Sequence, residues 1–313
     1  MVHIAVLDDY QNVALDMADW SSISRRAEIT VFNDHLANAD EIVQRLLPFE
    51  VICVMRERTP HPREILARLP KLRLIASTGP QNSSIDSSAA DEYHIEVMHT
   101  RYEPSPAIEL TWALILASAR DLVIETASVR SGGWQRSVGD GIRGKVLGIL
   151  GLGNIGSEVG RIGRAFGMDV IAWSENLRAE EALEHGVRWV SKEDLFRRAD
   201  ILTIHLVLSR RTRGLVGKAE LGLMKPTARL VNTSRGPIVD EAALIEALHK
   251  RQIAGAAVDV FDIEPLPRDH AFRQLDNVVA TPHLGFVSRD LYRVFYEDTV
   301  ANVAHWLQQN HRQ

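Results

Sequence analysis

The central segment of the chain reads Val146-Leu147-Gly148-Ile149-Leu150-Gly151-Leu152-Gly153-Asn154-Ile155-Gly156, an apolar run that ends in glycines spaced G-x-G-x-x-G. From the end of this segment onward, apolar residues recur at i, i+4, i+7 and i+11, namely Ile155, Val159, Ile162 and Phe166. This spacing places them on one face of a helix. The segment therefore predicts a strand, a tight turn and a helix, the context in which a glycine-rich turn binds a dinucleotide pyrophosphate at the helix N-terminus.

Each glycine of this turn has its own expected role. Gly151 permits the tight turn, Gly153 lets the backbone approach phosphate without a Cβ in the way, and Gly156 allows close contact between helix and strand. Asn154 and Ile155 lie between these glycines and are further candidates for cofactor binding. The alternative is a glycine-rich turn that binds no ligand.

A second copy of the same spacing runs from Gly139 to Gly144. It precedes a strand instead of following one. Because phosphate binding requires a strand before the glycines and a helix after them, we interpret this copy as a loop between a helix and the sheet.

The residues about 20 positions beyond the glycines bear on the choice between NAD and NADP, because an acid there binds the adenosine ribose hydroxyls. The expected position is Ser174, and Glu175 follows it. A serine removes the carboxylate that would repel a 2′-phosphate, whereas Glu175 can still bind the ribose. We favour NAD and keep NADP as the alternative.

Short apolar runs alternate with amphipathic stretches along the chain, which is typical of an α/β fold with mostly parallel sheets. The expected strands of a first series are Ile4–Leu7, Ile29–Phe32, Val51–Met55, Leu72–Ala76 and Val97–His99. Those of a second series are Val146–Leu150, Val170–Trp173, Ile201–Leu206, Leu230–Asn232, Ala256–Val260 and Val278–Ala280. We therefore predict two doubly wound domains, a six-stranded Rossmann-type domain and a smaller flavodoxin-like domain.

The boundary between the two series lies near Ser105, which is expected to cap a helix from Pro106 to about Arg130. A last helix, from Arg289 to about Gln308, is expected to fold back onto the first domain. We therefore predict that residues 1–102 and 288–313 form one domain and that residues 103–287 form the other.

The composition excludes several classes of protein. Of the 313 residues, 45% are hydrophobic and 25% charged, and the net charge is −5, which argues against disorder and against a large nucleic-acid footprint. The single cysteine, Cys53, excludes an intrachain disulfide and a zinc cluster, and no metal site is expected. The N-terminus lacks a signal-peptide pattern, and the longest apolar stretch, Trp112 to Ala117, is too short to span a membrane. We expect a cytoplasmic protein without a membrane partner.

Polar residues follow three consecutive strands of the second series. Thr233-Ser234-Arg235, Glu264 and His283 each lie in the loop after one of these strands. Because ligands of doubly wound sheets bind at the carboxyl ends of the strands, these residues are expected at the same edge as the glycine turn. A histidine that titrates near neutrality suits proton transfer to a carbonyl oxygen, a carboxylate beside it orients the ring, and arginine can bind a carboxylate through two hydrogen bonds. Taken singly, each of them is more often a residue without a catalytic task.

With these residues the sequence resembles the D-isomer-specific 2-hydroxyacid dehydrogenase family along essentially its whole length. The resemblance is carried by four ordered motifs, Gly151-Leu-Gly-Asn-Ile-Gly156, Asn232-Thr-Ser-Arg-Gly-Pro-Ile-Val-Asp240, Asp259-Val-Phe-Asp-Ile-Glu-Pro265 and Thr281-Pro-His-Leu-Gly285. It implies a nucleotide domain, a substrate domain, and a catalytic set of Arg235, Glu264 and His283. The further residues expected at the cofactor are Thr233, Ser234, Asp259, His283 and Gly285.

The reaction that the resemblance implies is hydride transfer between a nicotinamide cofactor and a 2-oxo acid, with a D-2-hydroxy acid as the product. In this interpretation His283 is the general acid of the reduction and the general base of the reverse reaction. Glu264 favours the protonated form of His283, and Arg235 binds the substrate and polarises its carbonyl group. Asp259 matches a position near the nicotinamide amide, and the alternative is an acid whose oxygens accept backbone N–H groups.

In the first domain, the segment from Leu74 to Asn82 resembles the family's substrate-binding loop, whose backbone N–H groups hold the acid. The candidate residues are Ser77, Thr78 and Gly79. Thr78 and Gly79 can donate their N–H groups, whereas Pro80 has none, and Pro80-Gln81 departs from the commoner family pattern. Arg56 is a candidate second contact, and the alternative is an exposed arginine without a task.

Other functions stay open. One is a nucleotide-sensing co-regulator that acts through a partner protein, and another is a dehydrogenase that uses a different hydride donor, such as phosphite. The sequence does not specify the substrate side chain, and phosphoglycerate remains a candidate. Related enzymes use the region around Leu114 for a twofold interface, so a homodimer is expected by analogy. No regulatory domain is expected after the last helix, and therefore no allosteric control of the kind that longer relatives have.

Overall fold

The computed structural model describes residues 1–310 and divides the chain into two compact units. Unit 1 consists of Met1–Glu103 and the segment that begins at Ser288, and unit 2 is Pro104–Val287. The first boundary falls one residue after the expected one. Residues 311–313, which the sequence assigns to the first domain, lie outside the described residues. None of the helices in residues 1–310 is both long and apolar enough to cross a lipid bilayer.

Unit 1 is a five-stranded parallel sheet with helices between its strands. The strands are β1 (Val2–Val6), β2 (Ala27–Val31), β3 (Val51–Val54), β4 (Leu74–Ser77) and β5 (Glu96–His99), in the order β2-β1-β3-β4-β5. The helices are α1 (Ser21–Ser24), α2 (Ala39–Leu46), α3 (Arg63–Leu66), α4 (Ser87–Glu92) and α12 (Arg289–Asn310). Every residue of β3 and β4 is buried, which explains their uninterrupted runs of non-charged residues, since both faces of such a sheet are covered.

Unit 2 is a larger parallel sheet. Its strands are β6 (Val146–Leu150), β7 (Asp169–Trp173), β8 (Arg188–Trp189), β9 (Ile201–Ile204), β10 (Arg229–Asn232), β11 (Gly255–Val258) and β12 (Val278–Ala280), in the order β12-β11-β10-β9-β6-β7-β8. Its helices are α5 (Ser105–Ala119), α6 (Leu122–Arg130), α7 (Asn154–Ala165), α8 (Ala179–Glu184), α9 (Lys192–Arg198), α10 (Lys218–Leu223) and α11 (Glu241–His249), with 3₁₀ turns at Gly236–Ile238 and Ala271–Arg273. The predicted α/β class is confirmed.

The seventh strand of unit 2 corrects the expectation of six. β8 contains two exposed residues, Arg188 and Trp189, which pair with Ile171 and Ala172 of β7 at the edge of the sheet. β8 is only two residues long, shorter than the runs of four to eight residues from which a strand is predicted, so the sequence analysis did not identify it.

The helix expected from Pro106 to about Arg130 is in fact two helices. α5 ends at Ala119 and α6 begins at Leu122, and between them Asp121 has a φ of +50°, in the left-handed region that ends a helix. The expected helix cap is also wrong, because Ser105 is the first residue of α5 and Pro104 precedes it.

The strand order of unit 2 indicates where a ligand would bind. β6 pairs with β7 on one side and with β9 on the other, so successive connections leave β6 in opposite directions. Such a reversal opens a crevice at the carboxyl ends of the strands, where doubly wound sheets bind their ligands. The loops after β6, β7, β10, β11 and β12 all leave from this edge because the strands are parallel.

Candidate active site

The turn after β6 has no room for a side chain at Gly151. This glycine has a φ of +104°, and a Cβ on it would lie 2.7 Å from the carbonyl oxygen of His205. Both its backbone conformation and its surroundings therefore require glycine, as the sequence predicts.

Gly156 and Gly153 differ in what surrounds them. A Cβ on Gly156 would overlap the carbonyl oxygen of Gly151, so α7 lies directly against the turn. Gly153 precedes α7 as its N-cap, no side chain caps this helix end, and no atom other than those of Gly153 and its two chain neighbours lies within 4 Å of the position that a Cβ would take. The backbone at the start of α7 thus faces open space and fits a phosphate group, which the N-terminal N–H groups and the helix dipole attract. Asn154 and Ile155 form the first helical residues there.

The second glycine copy is a loop, as expected. The residues from Gly139 to Gly144 contain no helix and lead into β6. A Cβ on Gly141 would meet no atom within 4 Å, and Gly139 lies against the backbone of Arg120. This copy does not begin a helix and therefore has no N-terminal N–H groups to offer a phosphate.

Ser174 and Glu175 directly follow β7, the strand next to β6. Ser174 is half-buried and Glu175 is exposed. Both leave the sheet at the same edge as the glycine turn, where the adenosine ribose of a dinucleotide is bound in this type of fold.

Arg235 lies in the loop after β10, and its neighbours fix the shape of that loop. Asn232 donates a hydrogen bond from Nδ2 to the carbonyl oxygen of Arg235 (3.0 Å) and accepts one from the N–H of Ser234 (3.0 Å). The guanidinium Nη1 of Arg235 donates to the carbonyl oxygen of Ser234 (2.7 Å). Thr233 shares a 2.8 Å hydrogen bond with Thr111 of α5. The half-buried residues Thr233, Ser234 and Arg235 are therefore held by contacts within unit 2.

His283 and Glu264 form a direct pair. The His283 Nδ1 lies 2.5 Å from Glu264 Oε2, while the other carboxylate oxygen, Oε1, accepts a hydrogen bond from the N–H of Phe261 (2.9 Å). The imidazole also packs edge-on against Phe286, with the ring centroids 5.3 Å apart. Because the carboxylate engages Nδ1, Nε2 is the ring nitrogen left for a substrate.

Asp259 braces the backbone around His283. Its Oδ1 accepts hydrogen bonds from Thr281 Oγ1 (2.6 Å) and from the N–H of Leu284 (2.7 Å), and its Oδ2 accepts one from the N–H of Gly285 (2.8 Å). His283 itself has a φ of +53°, which a non-glycine residue adopts only when its surroundings impose it. Burial raises the pKa of Asp259, and these hydrogen bonds oppose that rise. Asp259 is therefore an acid whose oxygens accept backbone N–H groups, which is the alternative considered in the sequence analysis.

The candidate substrate loop of unit 1 differs from the expectation. The N–H of Thr78 donates to the carbonyl oxygen of Val54 (3.1 Å), and that of Gly79 donates to Thr100 Oγ1 (2.7 Å). Both N–H groups that the sequence assigned to an acid are thus already engaged inside unit 1, which corrects that expectation. Ser77 is fully buried, and its Oγ accepts a hydrogen bond from Asn82 (3.1 Å).

Arg56 lies against this loop. Its Nη1 donates to the carbonyl oxygen of Thr78 (3.2 Å), and a Cβ on Gly79 would overlap the guanidinium. The side chain is 14% exposed, so the alternative of an arginine that simply projects into solvent is wrong.

Sequence reasoning missed three residues that shape these sites: Thr100, Asn82 and Phe286. Thr100 is a buried polar residue that accepts a hydrogen bond from the loop of unit 1, Asn82 is a buried residue of that loop that donates to Arg56, and Phe286 is a buried ring beside His283. The position of Thr100 directly after β5, the neighbour of β4, was the one available signal. Burial of a polar side chain leaves no mark on the local sequence pattern.

Comparison with known proteins bears on unit 2 first. The family model described as D-isomer specific 2-hydroxyacid dehydrogenase, NAD binding domain, matches residues 112–285. These residues include the glycine turn, Arg235, Glu264 and His283.

Individual relatives cover more of the chain. A glyoxylate reductase of Aeropyrum pernix is 45% identical over 237 residues, which are 72% of this chain and 71% of the relative. A hydroxypyruvate reductase of Thermotoga maritima is 34% identical over 288 residues, 90% of this chain and 92% of the relative. The crystal structure of a phosphoglycerate oxidoreductase from Vibrio cholerae O395 has a TM-score of 0.94 and 36% identity, and the match covers 99% of this chain and 100% of that chain. The chain spans about half the length of the D-3-phosphoglycerate dehydrogenases that it matches.

The two glycines of the turn should respond differently to substitution by alanine. We expect Gly153→Ala to keep the wild-type melting temperature, because its Cβ enters open space, but to weaken NADH binding by about tenfold or more, because the methyl group occupies the approach of the phosphate. Gly156→Ala should lower both the melting temperature and NADH affinity, since it pushes α7 away from the turn. NADH fluorescence titration and thermal unfolding measure the two effects.

Gly141→Ala, in the second glycine copy, is the matched control and should change neither quantity. Wild-type NADH affinity in Gly153→Ala would show that the start of α7 does not receive the phosphates.

Proposed function

The chain belongs to the D-isomer specific 2-hydroxyacid dehydrogenase family, and we propose that it interconverts a small 2-oxo acid and the corresponding D-2-hydroxy acid. As a member of this family it is an NAD-dependent oxidoreductase. The observation that carries the specific proposal is the 2.5 Å pair of His283 Nδ1 and Glu264 Oε2 at the sheet edge that also carries the glycine turn.

The residues present fit a dinucleotide. In the proposal, the start of α7 with Gly153, Asn154 and Ile155 holds the pyrophosphate, and Ser174 and Glu175 hold the adenosine ribose. NAD is favoured because Glu175 offers a carboxylate for ribose hydroxyls, while NADP stays the alternative because Ser174 carries no charge. When bound, the nicotinamide supplies the hydride to the substrate carbon or accepts it from that carbon.

His283 moves the proton in this proposal. During reduction its Nε2–H gives the proton to the carbonyl oxygen as charge develops there, and in the reverse direction neutral Nε2 accepts the hydroxyl proton. Glu264 holds the ring in place and accepts a hydrogen bond from Nδ1, because its carboxylate lies within hydrogen-bonding distance. Asp259 acts indirectly by holding the loop that carries His283.

Arg235 is proposed to bind the substrate. Its planar guanidinium can donate two parallel hydrogen bonds to a carboxylate and polarise the carbonyl group beside it. The loop around Asn232 fixes the backbone from which this side chain projects.

The names of the relatives suggest the substrate class. Relatives named glyoxylate reductase and hydroxypyruvate reductase match most of this chain, so glyoxylate and hydroxypyruvate are the proposed substrates. No relative named here supports the alternative of a nucleotide-sensing co-regulator. The cytoplasmic location stays a prediction.

The proposed reaction is tested with a panel of 2-oxo acids, NADH and NADPH, followed at the absorbance of the reduced nicotinamide. Glyoxylate, pyruvate, hydroxypyruvate and phosphorylated hydroxypyruvate are compared at equal enzyme concentration. We expect oxidation of NADH with at least one small 2-oxo acid. NADH binding without oxidation by any of them would contradict the proposal and favour a sensor.

His283→Ala should lower turnover about 10²- to 10⁴-fold while NADH affinity stays close to wild type, because the proton donor is lost and the nucleotide turn is not. His270→Ala is the matched control, since His270 forms a second histidine–carboxylate pair with Glu241 (3.0 Å) in unit 2. Equal losses of turnover in the two variants would assign His283 a structural role.

Ser174→Asp should raise the preference for NADH over NADPH, because a new carboxylate at this position repels the 2′-phosphate. The comparison is the ratio of kcat/KM for the two cofactors. Ser191→Asp, at the N-cap of α9, adds the same charge where aspartate also caps a helix, and should leave the ratio unchanged. If the ratio in Ser174→Asp equals that of wild type, Ser174 does not face the ribose.

We propose that the protein forms a homodimer through α6 and the segment that follows it. An apolar groove on α6 is lined by Leu122, Val123, Thr126, Ala127, Arg130 and Ser131. Trp134 and Val138, just beyond the helix, are 72% and 100% exposed. The groove and the exposed side chains lie on consecutive stretches of one chain. In a twofold dimer, Trp134 and Val138 of each copy can therefore pack into the α6 groove of the other copy.

Trp134→Glu should shift the protein from dimer to monomer in sedimentation equilibrium, because a charge replaces the largest apolar side chain of the proposed contact. Leu183→Glu is the control, since Leu183 on α8 is equally exposed and lies outside the contact. A wild-type protein that sediments as a monomer would contradict the proposed dimer.

A further inference from the structure

We propose that Tyr102 is a positioning residue that holds the Arg56 guanidinium over Gly79, and that this guanidinium, instead of the loop N–H groups, is the contact of unit 1 with the carboxylate of the 2-oxo acid. The inference rests on the proposed function. It concerns side chains that neither the glycine turn nor the His283–Glu264 pair involves.

The backbone of Arg56 is fixed in an unusual conformation. Arg56 follows β3 with a φ of +52°, in the left-handed region that costs a non-glycine residue energy. Its N–H donates to Thr78 Oγ1 (2.8 Å), and its carbonyl oxygen accepts a hydrogen bond from Asn82 Nδ2 (2.7 Å). Both backbone groups are therefore tied to the loop after β4, which directs the side chain across that loop.

The loop makes room for the guanidinium. Gly79 has a φ of +84°, and the place of its missing Cβ is taken by Arg56. Nη1 donates to the carbonyl oxygen of Thr78 (3.2 Å) and lies 3.5 Å from that of Gln81. These carbonyl oxygens hold Nη1 and carry no net charge of their own, so they do not neutralise the guanidinium.

The ring of Tyr102 packs against the Arg56 guanidinium. The Arg56 Cζ lies 5.5 Å from the centroid of the Tyr102 ring, within the range of a cation–π interaction. Tyr102 in turn stacks on Phe295 of α12, with the centroids 6.4 Å apart and the planes at 23°. The ring is therefore supported from behind by a buried side chain and limits where the guanidinium can move.

The loop after β4 has few free backbone N–H groups that could bind a substrate carboxylate instead of the Arg56 guanidinium. The N–H groups of Thr78 and Gly79 are used by Val54 and Thr100, and Pro80 has no N–H. Glu57 forms an ion pair with the guanidinium, in which its Oε1 lies 3.6 Å from Nη2, longer than a hydrogen bond. A substrate carboxylate that hydrogen-bonds to Nη2 therefore gains a stronger contact than Glu57 makes there.

The test compares KM and kcat for glyoxylate in variants of Tyr102. Tyr102→Leu removes the ring and should raise the KM for glyoxylate about 3- to 30-fold, with kcat and the KM for NADH close to wild type. Tyr102→Phe keeps the ring and should stay within about twofold of wild type in all three constants. Tyr93→Leu is the matched control, because Tyr93 stacks on Arg63 (6.0 Å) elsewhere in unit 1. It should leave the glyoxylate KM unchanged.

Arg56→Gln should raise the KM for glyoxylate about 10- to 100-fold, since a charge-assisted hydrogen bond is lost. In that background Tyr102→Leu should have no further effect, because the ring acts through the guanidinium. An equal effect of Tyr102→Leu in both backgrounds overturns the positioning role. If Tyr102→Leu fails to fold, an unchanged KM in Arg56→Gln still overturns the proposal. A wild-type protein that reduces no 2-oxo acid overturns the proposed function as well, whereas an active wild type with unchanged variants overturns this inference alone.

Discussion

The contact between α7 and the turn after β6 is the constraint on which the nucleotide site depends. A side chain on Gly156 would overlap the carbonyl oxygen of Gly151, so the helix can begin where it does only because Gly156 lacks a Cβ. That contact fixes the N-terminus of α7 at the carboxyl edge of the sheet, with open space before Gly153. The parallel strand order then brings the loops after β10, β11 and β12 to the same edge without further adjustment.

A buried carboxylate shapes the loop that carries His283. Asp259 is fully buried, and its two oxygens accept three hydrogen bonds, which compensate the cost of removing this group from water. Two of those bonds come from the backbone just after His283, whose φ of +53° needs such support. The neighbouring acid, Glu264, is partly exposed and acts on the imidazole itself. Asp259 therefore binds the backbone around His283, whereas Glu264 contacts the imidazole directly.

The two units present different groups to an anion. In unit 2, the first turn of α7 faces open space without a capping side chain, so backbone N–H groups remain for a phosphate. In unit 1, the N–H groups of Thr78 and Gly79 are bonded internally, and a guanidinium lies above them. Glycine serves both arrangements, because Gly153 leaves space for a ligand and Gly79 leaves space for Arg56.

Sequence by itself determined the α/β class, most of the strands, the distinction between the two glycine copies, and the catalytic candidates at the strand ends. These features depend on periodicity, on glycine spacing and on the order of elements, all of which are local in the chain. It missed β8, which is only two residues long, and it joined α5 to α6 across Asp121, because aspartate favours a left-handed φ too weakly for the helix break to be predicted from the sequence. Only the tertiary structure decided that Asp259 binds the backbone around His283, that Thr100 takes the N–H of Gly79, and that Arg56 lies over the loop beside Tyr102. Those partners are far apart in the chain, and a hydrogen bond or a ring contact between them exists only after the sheet has brought their strands side by side.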